Sequence, residues 1–382
     1  TTMAKINVRS PYFVNIASNN LTSAKIEIEI YSGAVNATWQ NNPQYTLTST
    51  AINEKVNFEI SELIKDYIQA EFNGSYVKGK TGTAEEATTI YVDYQITSFI
   101  STGNTQLLSL GNRAFYGYGY FEDGANPQLL QGLLQSNTTI LKLHDAPIRI
   151  PVDNENTNSV VFFNNNVAVY SWLPIVGAEI QDQLQYVTNG TDSADSFEER
   201  VIDDGGTFED NICIEEFEDD FELYPVDKVI VSGVDGLTII TVDNVDECKY
   251  TPYKLTFINK YGAYQDIWMF KNSKLNMTTT EERYKSNILT NGTYNTYDAQ
   301  IKLLTKNGNQ NLTLNSGYYP ESNNDLFRQL FLSEKVWIEY KEKTLGVTIE
   351  SKNINYKTSL TDSLINYTID VSFAFDAINN IR

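Results

Sequence analysis

The amino-acid sequence predicts a mainly β protein, built as two or three β-sandwich-like domains with a few short helices. Three observations lead there. The chain spends 25 tyrosines and 18 phenylalanines among its 382 residues, and aromatic and β-branched side chains suit a pleated, half-buried surface. Short runs alternate apolar and polar residues with period two. The length exceeds one core at roughly 150 residues per domain.

Residues 1–100 read as an N-terminal β-sandwich-like domain. Lys25-Ile26-Glu27-Ile28-Glu29-Ile30 puts isoleucines on one face and charges on the other. Tyr45 to Thr48, Val56 to Ile60 and Thr89 to Tyr94 continue the pattern. Leu63, Ile64, Tyr67 and Ile68 have helical spacing instead, with Ser61 as expected N-cap.

Residues 101–158 read as a connector. Tyr116-Gly117-Tyr118-Gly119-Tyr120-Phe121 reads as a strand with three tyrosines on one face, where glycine permits close approach of another backbone. Pro127 with Leu129, Leu130, Leu133 and Leu134 predicts a short helix. Leu141 to Ile150 alternates.

Residues 159–250 form a further β domain with strands at 160–163, 167–170, 228–231 and 237–242, the last two joined by an expected Asp235-Gly236 turn. It carries an acidic loop, 192–222. Residues 251–382 form the C-terminal β domain. Its strands are Tyr253–Phe257, Asp266–Phe270, Val336–Tyr340, Gly346–Glu350 and Tyr367–Phe375, and Asn324-Asp325 opens a short helix. In the last strand Ile369, Val371, Phe373 and Phe375 share a face.

Charge excludes one class of function. The net charge of −21 opposes binding to a nucleic-acid backbone, which needs clustered Lys and Arg. The stretch Asp192–Glu222 holds fourteen acidic residues against Arg200, a net of −13, which leaves −8 for the rest. Such a stretch reads as a solvated, self-repelling excursion, with cation or partner binding as the alternative. No run approaches 18 apolar residues, and Thr1 to Val8 lacks a charged and then apolar leader pattern. The expectation is a chain made in a reducing cytoplasm, without export or membrane insertion. Cys213 and Cys248 are too few for a disulfide framework. Asn-x-Ser/Thr triplets, at Asn73 and Asn291 among others, follow from an Asn- and Thr-rich composition.

The constellations that could carry chemistry are weak. His144, the single histidine, is followed by Asp145, but a triad needs a nucleophile and geometry. Its setting, Leu141-Lys142-Leu143-His144, reads as a polar strand position. One histidine and two separated cysteines do not make a zinc set. Asp153-Asn154-Glu155-Asn156 and Asp203-Asp204-Gly205-Gly206 offer oxygen ligands in the manner of calcium loops, and the first lacks the glycine and glutamate of an EF-hand. Any of the 49 acidic residues could pair for glycoside hydrolysis, and nothing selects a pair. No catalytic, cofactor-binding or metal-binding residue is assigned.

Three stretches resemble structural proteins of tailed bacteriophages, particularly phages of Bacteroidetes hosts. They are Tyr116-Gly-Tyr-Gly-Tyr-Phe-Glu-Asp-Gly-Ala-Asn-Pro127, Leu255-Thr-Phe-Ile-Asn-Lys-Tyr-Gly-Ala-Tyr-Gln-Asp266, and Asn366-Tyr-Thr-Ile-Asp-Val-Ser-Phe-Ala-Phe375 with Asn380-Ile381-Arg382. Together they span 37 of the 382 residues. The resemblance implies a virion component of the tail, baseplate or neck, assembled in the host cytoplasm. It implies a homo-oligomeric ring beside other tail or neck proteins and transfers no catalytic residue, while the residues themselves lead to the expectation of no enzyme activity and no nucleic-acid or membrane partner. The alternatives are a cell-surface carbohydrate-binding or adhesive β-sandwich protein and, behind it, a carboxylate-pair hydrolase.

Overall fold

The computed structural model describes residues 4–31, 42–68, 70–74, 91–100, 105–127, 131–174, 184–188, 190–191, 222–223, 225–351, 353 and 363–378. The expected mainly β class holds, with several sheets and two short α-helices among these residues. The first lobe comprises β1 (Ala4–Asn7), β2 (Phe13–Ala17), β3 (Ser23–Tyr31), β4 (Tyr45–Thr50), β5 (Lys55–Glu59), α1 (Ser61–Lys65), β6 (Tyr91–Ile100) and β7 (Thr105–Phe115). The second holds β8 (Thr139–Leu143), β9 (Arg149–Asp153), β10 (Thr157–Asn164), β11 (Val167–Trp172), β12 (Leu184–Thr188), β13 (Gly190–Thr191), β14 (Glu222–Leu223), β15 (Lys228–Gly233) and β16 (Gly236–Val245).

The third lobe begins with β17 (Tyr253–Ile258), β18 (Tyr264–Met269), β19 (Lys271–Lys285), β20 (Ile301–Asn315) and β21 (Tyr319–Pro320). It continues through α2 (Asn324–Leu332), β22 (Val336–Tyr340), β23 (Lys343–Ile349), β24 (Leu364–Ile365) and β25 (Thr368–Phe373).

In the first lobe the sheet order is β1-β7-β6-β3-β4, with β1 parallel to β7 and the other pairs antiparallel. Ile26, Ile28 and Ile30 enter the core, as the alternation requires, and the β2–β5 ribbon and α1 supply Ile16, Val56, Phe58 and Ile64 opposite them. The second sheet, β11-β10-β15-β16-β8, is likewise covered on one face by the β9–β12 ribbon through Ile150, Val152 and Val187. The third sheet has seven strands in the order β18-β17-β22-β23-β25-β20-β19, and α2 lays Leu326, Phe327 and Leu330 on its core.

Several local expectations change. The first sheet runs past residue 100, because β7 continues it. β8 and β9 belong to the second lobe rather than to a connector. Leu133 and Leu134 are not helical: Leu133 enters the second core and Leu134 the first, and consecutive side chains facing opposite ways mean extended backbone. Leu129 and Leu130 lie outside the described residues. The Leu141–Ile150 run is two strands with a turn between them. Ser61 is the first helical residue, not the cap, and its hydroxyl donates to Glu59. The hairpin of β15 and β16 turns on Val234 and Asp235, one residue early, because Gly233 pairs with Gly236. Ile369, Val371 and Phe373 are buried, whereas Phe375 lies beyond β25 and is exposed.

The tyrosine-glycine run is the largest change. β7 stops at Phe115, and the next backbone bonds leave the sheet: Arg9 N donates to Gly117 O (2.9 Å) and Tyr118 N to Lys260 O (2.8 Å). Gly117 lies directly against Lys260 O and Asn7 Oδ1, the close approach that glycine was expected to allow. The tyrosines then clamp the lobes together. Tyr116 OH donates to Glu334 Oε2 (2.7 Å) and Tyr120 OH to Asp325 Oδ1 (2.9 Å). Arg328 stacks 3.6 Å from the Tyr120 ring and Arg9 4.8 Å from that of Tyr118.

Burial and, for Tyr116, the Glu334 bond push the Tyr116 and Tyr118 hydroxyls up to about 12, so both stay protonated and Tyr116 remains a donor. Burial opposes ionisation of Asp325 and Glu334, but hydrogen bonds and nearby cations outweigh it and hold both carboxyls below the ordinary range. A depressed carboxyl stabilises the fold above its unfolded value and ceases to as pH falls through its folded value. The stability gap between the wild type and Tyr120→Phe should therefore narrow on acidification below about pH 4. Urea unfolding at pH 7, 5 and 3 measures it, and a gap that does not change with pH contradicts the clamp.

Candidate interaction surface

The residues expected to be able to carry chemistry do not converge. His144 sits exposed in the turn after β8, at the rim of an open cleft of about 680 Å³ that Asp145, Arg149, Glu247, Cys248 and Trp268 also line. Among the described residues no hydrogen bond joins its ring to a carboxylate or thiol, and Lys142 Nζ donates to the His144 carbonyl (2.7 Å) instead. Cys248 is exposed and free. Cys213 and Asp203-Asp204-Gly205-Gly206 lie outside the described residues, as does 192–221.

The Asp153–Asn156 turn is filled by protein cations. Lys5 Nζ pairs with Asp153 and lies 3.1 Å from Glu155, while Arg113 lies 3.8 Å from Glu155. Lys5 and Arg113 are opposite one another on β1 and β7, and both are 2% exposed. Two like charges buried side by side need an acidic partner. The second lobe provides it, with Asn156 Nδ2 (2.9 Å) also donating to Asp153. The oxygen ligands that resemble a calcium loop thus form an ionic latch between lobes. Among the described residues no group of three His, Cys, Asp or Glu is placed to hold a metal.

What the structure does present is an arm. β19 and β20 are each 15 residues long, but β25 pairs with β20 only over Asn311–Asn315. Beyond Thr278 and Asn309 the two strands leave the sheet as a ribbon. The seven pairs to Lys285 reach about 24 Å at about 3.4 Å per residue. The register makes Leu275, Met277, Arg283 and Lys285 share a face with Leu303 and Ile301, and a bulge at Glu282/Arg283 lets Leu304 enter there. Met277, Ile301, Leu303 and Leu304 are 52–64% exposed. Glu281 bridges Arg283 and Lys306 (3.8 Å) on the same face. The ribbon ends in exposed Leu289, Tyr294 and Tyr297, around a two-residue Asn291-Gly292 turn with both φ positive and Thr290 paired to Thr293.

An isolated two-stranded ribbon is marginal in water, and bare strand edges and apolar side chains are the surfaces that proteins use for contact with other chains. The arm therefore has the chemistry of an interface rather than of a pocket. The described tryptophans Trp172, Trp268 and Trp337 are half-buried, and Trp268 lines the cleft beside His144. No described helix is long and apolar enough to cross a membrane. Comparison with known proteins yields no matching family model, no similar curated protein and no similar solved structure.

Proposed function

We propose that this chain is a structural component of a tailed-phage virion, in the tail, baseplate or neck, which assembles through subunit contacts into a symmetric ring. The observation that carries the assembly is the arm: beyond Thr278 and Asn309 a long ribbon with an exposed apolar face adds nothing to the core of its own lobe. The particle assignment is supported by the three stretches that resemble phage structural proteins. Two of them meet in space, since the 116–120 run sits on the 259–263 turn through Gly117 and Tyr118. A body of three lobes, closed by the Lys5–Asp153 latch and the tyrosine clamp, offers the arm a rigid mount. Burial of the arm in a neighbour accounts for apolar side chains that a monomer would leave in water.

Light scattering on the purified protein, together with mass spectrometry of purified particles, tests the reading. A discrete oligomer of the 43.3 kDa chain and its peptides within particles are expected. A protein that remains monomeric at every concentration and is missing from particles removes it.

A further inference from the structure

Two apolar surfaces face solvent among the described residues, and they differ in shape and charge. One is the arm. The other is the outer face of the second sheet. Its strands β10, β15 and β16 turn Val160, Phe162, Val229, Val231 and Ile240 into the core. On a sheet with one solvated face the alternate positions are polar. Here the register sets Val161, Ile230 and Ile239 in one row across three strands, with Phe163 and Leu237 beside it. Ile239 is 52% and Leu237 64% exposed. A sheet that is apolar on both faces calls for cover on both.

We infer that the arm of one copy lies across this outer face of a neighbouring copy, an inference that rests on the reading of the chain as a ring subunit. Charge selects the occupant. The segment 271–315 carries six Lys and Arg against three acidic residues, a net of +3, so the remainder of the chain carries −24. The apolar end of the arm, Ile301 and Leu303, is flanked by Arg283, Lys285 and Lys306 against Glu281. Residues 139–245, which build the second lobe, hold four Lys and Arg against 22 acidic residues, a net of −18, and the outer face itself shows Asp243 and Lys228. Arm against arm would set like charges together, whereas arm against sheet sets opposite charges together and buries both apolar surfaces. The contact joins two different surfaces, so it repeats head to tail and closes when the rotation between copies permits.

Cross-linking decides it. In a Cys213→Ser/Cys248→Ser background, one preparation carries Met277→Cys and another Ile239→Cys. Both positions are exposed in the single chain, at 59% and 52%. Mild oxidation of the mixture should give a covalent dimer on a non-reducing gel, with neither preparation giving one alone. The chain carrying both cysteines should give a ladder of higher species. Light scattering on Met277→Glu/Leu303→Glu should show at least a tenfold weaker association, with the melting temperature of the body kept.

Dimers from Met277→Cys alone would mean that arms pair with arms, and the inference falls. An absent adduct from a wild type that is oligomeric overturns the inference and leaves the ring standing. So does a double-cysteine chain that closes only on itself. A wild type that is monomeric throughout overturns both.

Discussion

Lys5→Met should lower the stability of the protein by about 3–5 kcal/mol, the range seen when one member of a buried ion pair is removed. The side chains of Lys5 and Asp153 are 1% and 2% exposed, so the carboxylate left behind has little water to solvate it. Glu155 N (3.1 Å) and Asn156 Nδ2 (2.9 Å) still donate to Asp153, but the Lys5 pair is lost. The informative step is the second substitution. Asp153→Asn removes the stranded charge while keeping the size of the side chain, so Lys5→Met/Asp153→Asn should regain at least half of the loss. Guanidinium unfolding of the four proteins gives the coupling. Strictly additive losses would show that the two residues act separately and that the latch does not exist as drawn.

The latch also marks where reading by sequence stops. Asp153-Asn154-Glu155-Asn156 has the composition of a cation loop, and it does hold cations. They are side chains from β1 and β7, and Lys5 is 148 positions away, so no local pattern could distinguish them from a metal. Strands with a buried face were legible: Ile26, Ile28 and Ile30, or Val336 and Ile338, declare themselves by alternation, and both are buried as expected. The Leu129–Leu134 spacing misled because leucines three and four apart fit a helix as well as a chain threading between two cores. The arm was missed for the opposite reason. Its strands are rich in Thr, Asn and Lys and are held by cross-strand pairing rather than burial, so no apolar periodicity marks them. One signal was available: Asn291-Gly292, a strong sequence sign of a type I′ hairpin, which read only as part of an Asn-x-Thr triplet.

A rigid body and a free arm follow from one division of the sequence. Residues that bind the lobes are distant in the chain and specific in geometry, as with Tyr116 to Glu334 and Tyr120 to Asp325. Residues along the ribbon pair with their opposite strand, apart from Asn307 and Gly308 at its base, which accept from Ile378 N (3.0 Å) and Ala377 N (2.7 Å). The arm can therefore bind a neighbour without disturbing the body, and damage at the lobe contacts should spread where damage to the arm would not.

Gly117→Ala puts that to the test, with an expected loss of about 3 kcal/mol, the upper end of the usual overpacking range. An added Cβ would fall directly on Lys260 O and Asn7 Oδ1 and lie 2.9 Å from Gly262 N. Two of those three atoms are backbone, and both are committed. Lys260 O accepts from Tyr118 N (2.8 Å), and Gly262 N donates to Asn259 O (3.1 Å). Asn259 is fully buried and holds that turn through Leu134 O (2.7 Å) and Ala263 N (3.1 Å), so the turn has no room to retreat. The 116–120 run must lift instead, and with it the hydroxyls of the tyrosine clamp. Hydrogen exchange should accelerate in 116–120 and 259–263 together, while the amides of β19 and β20 exchange as before. Gly346→Ala is the control: its Cβ would meet only Ala374 Cβ at 3.7 Å, an ordinary contact, so the change should stay within about 0.5 kcal/mol. If Gly117→Ala and Gly346→Ala unfold alike, the close approach of the two segments is not what joins the lobes.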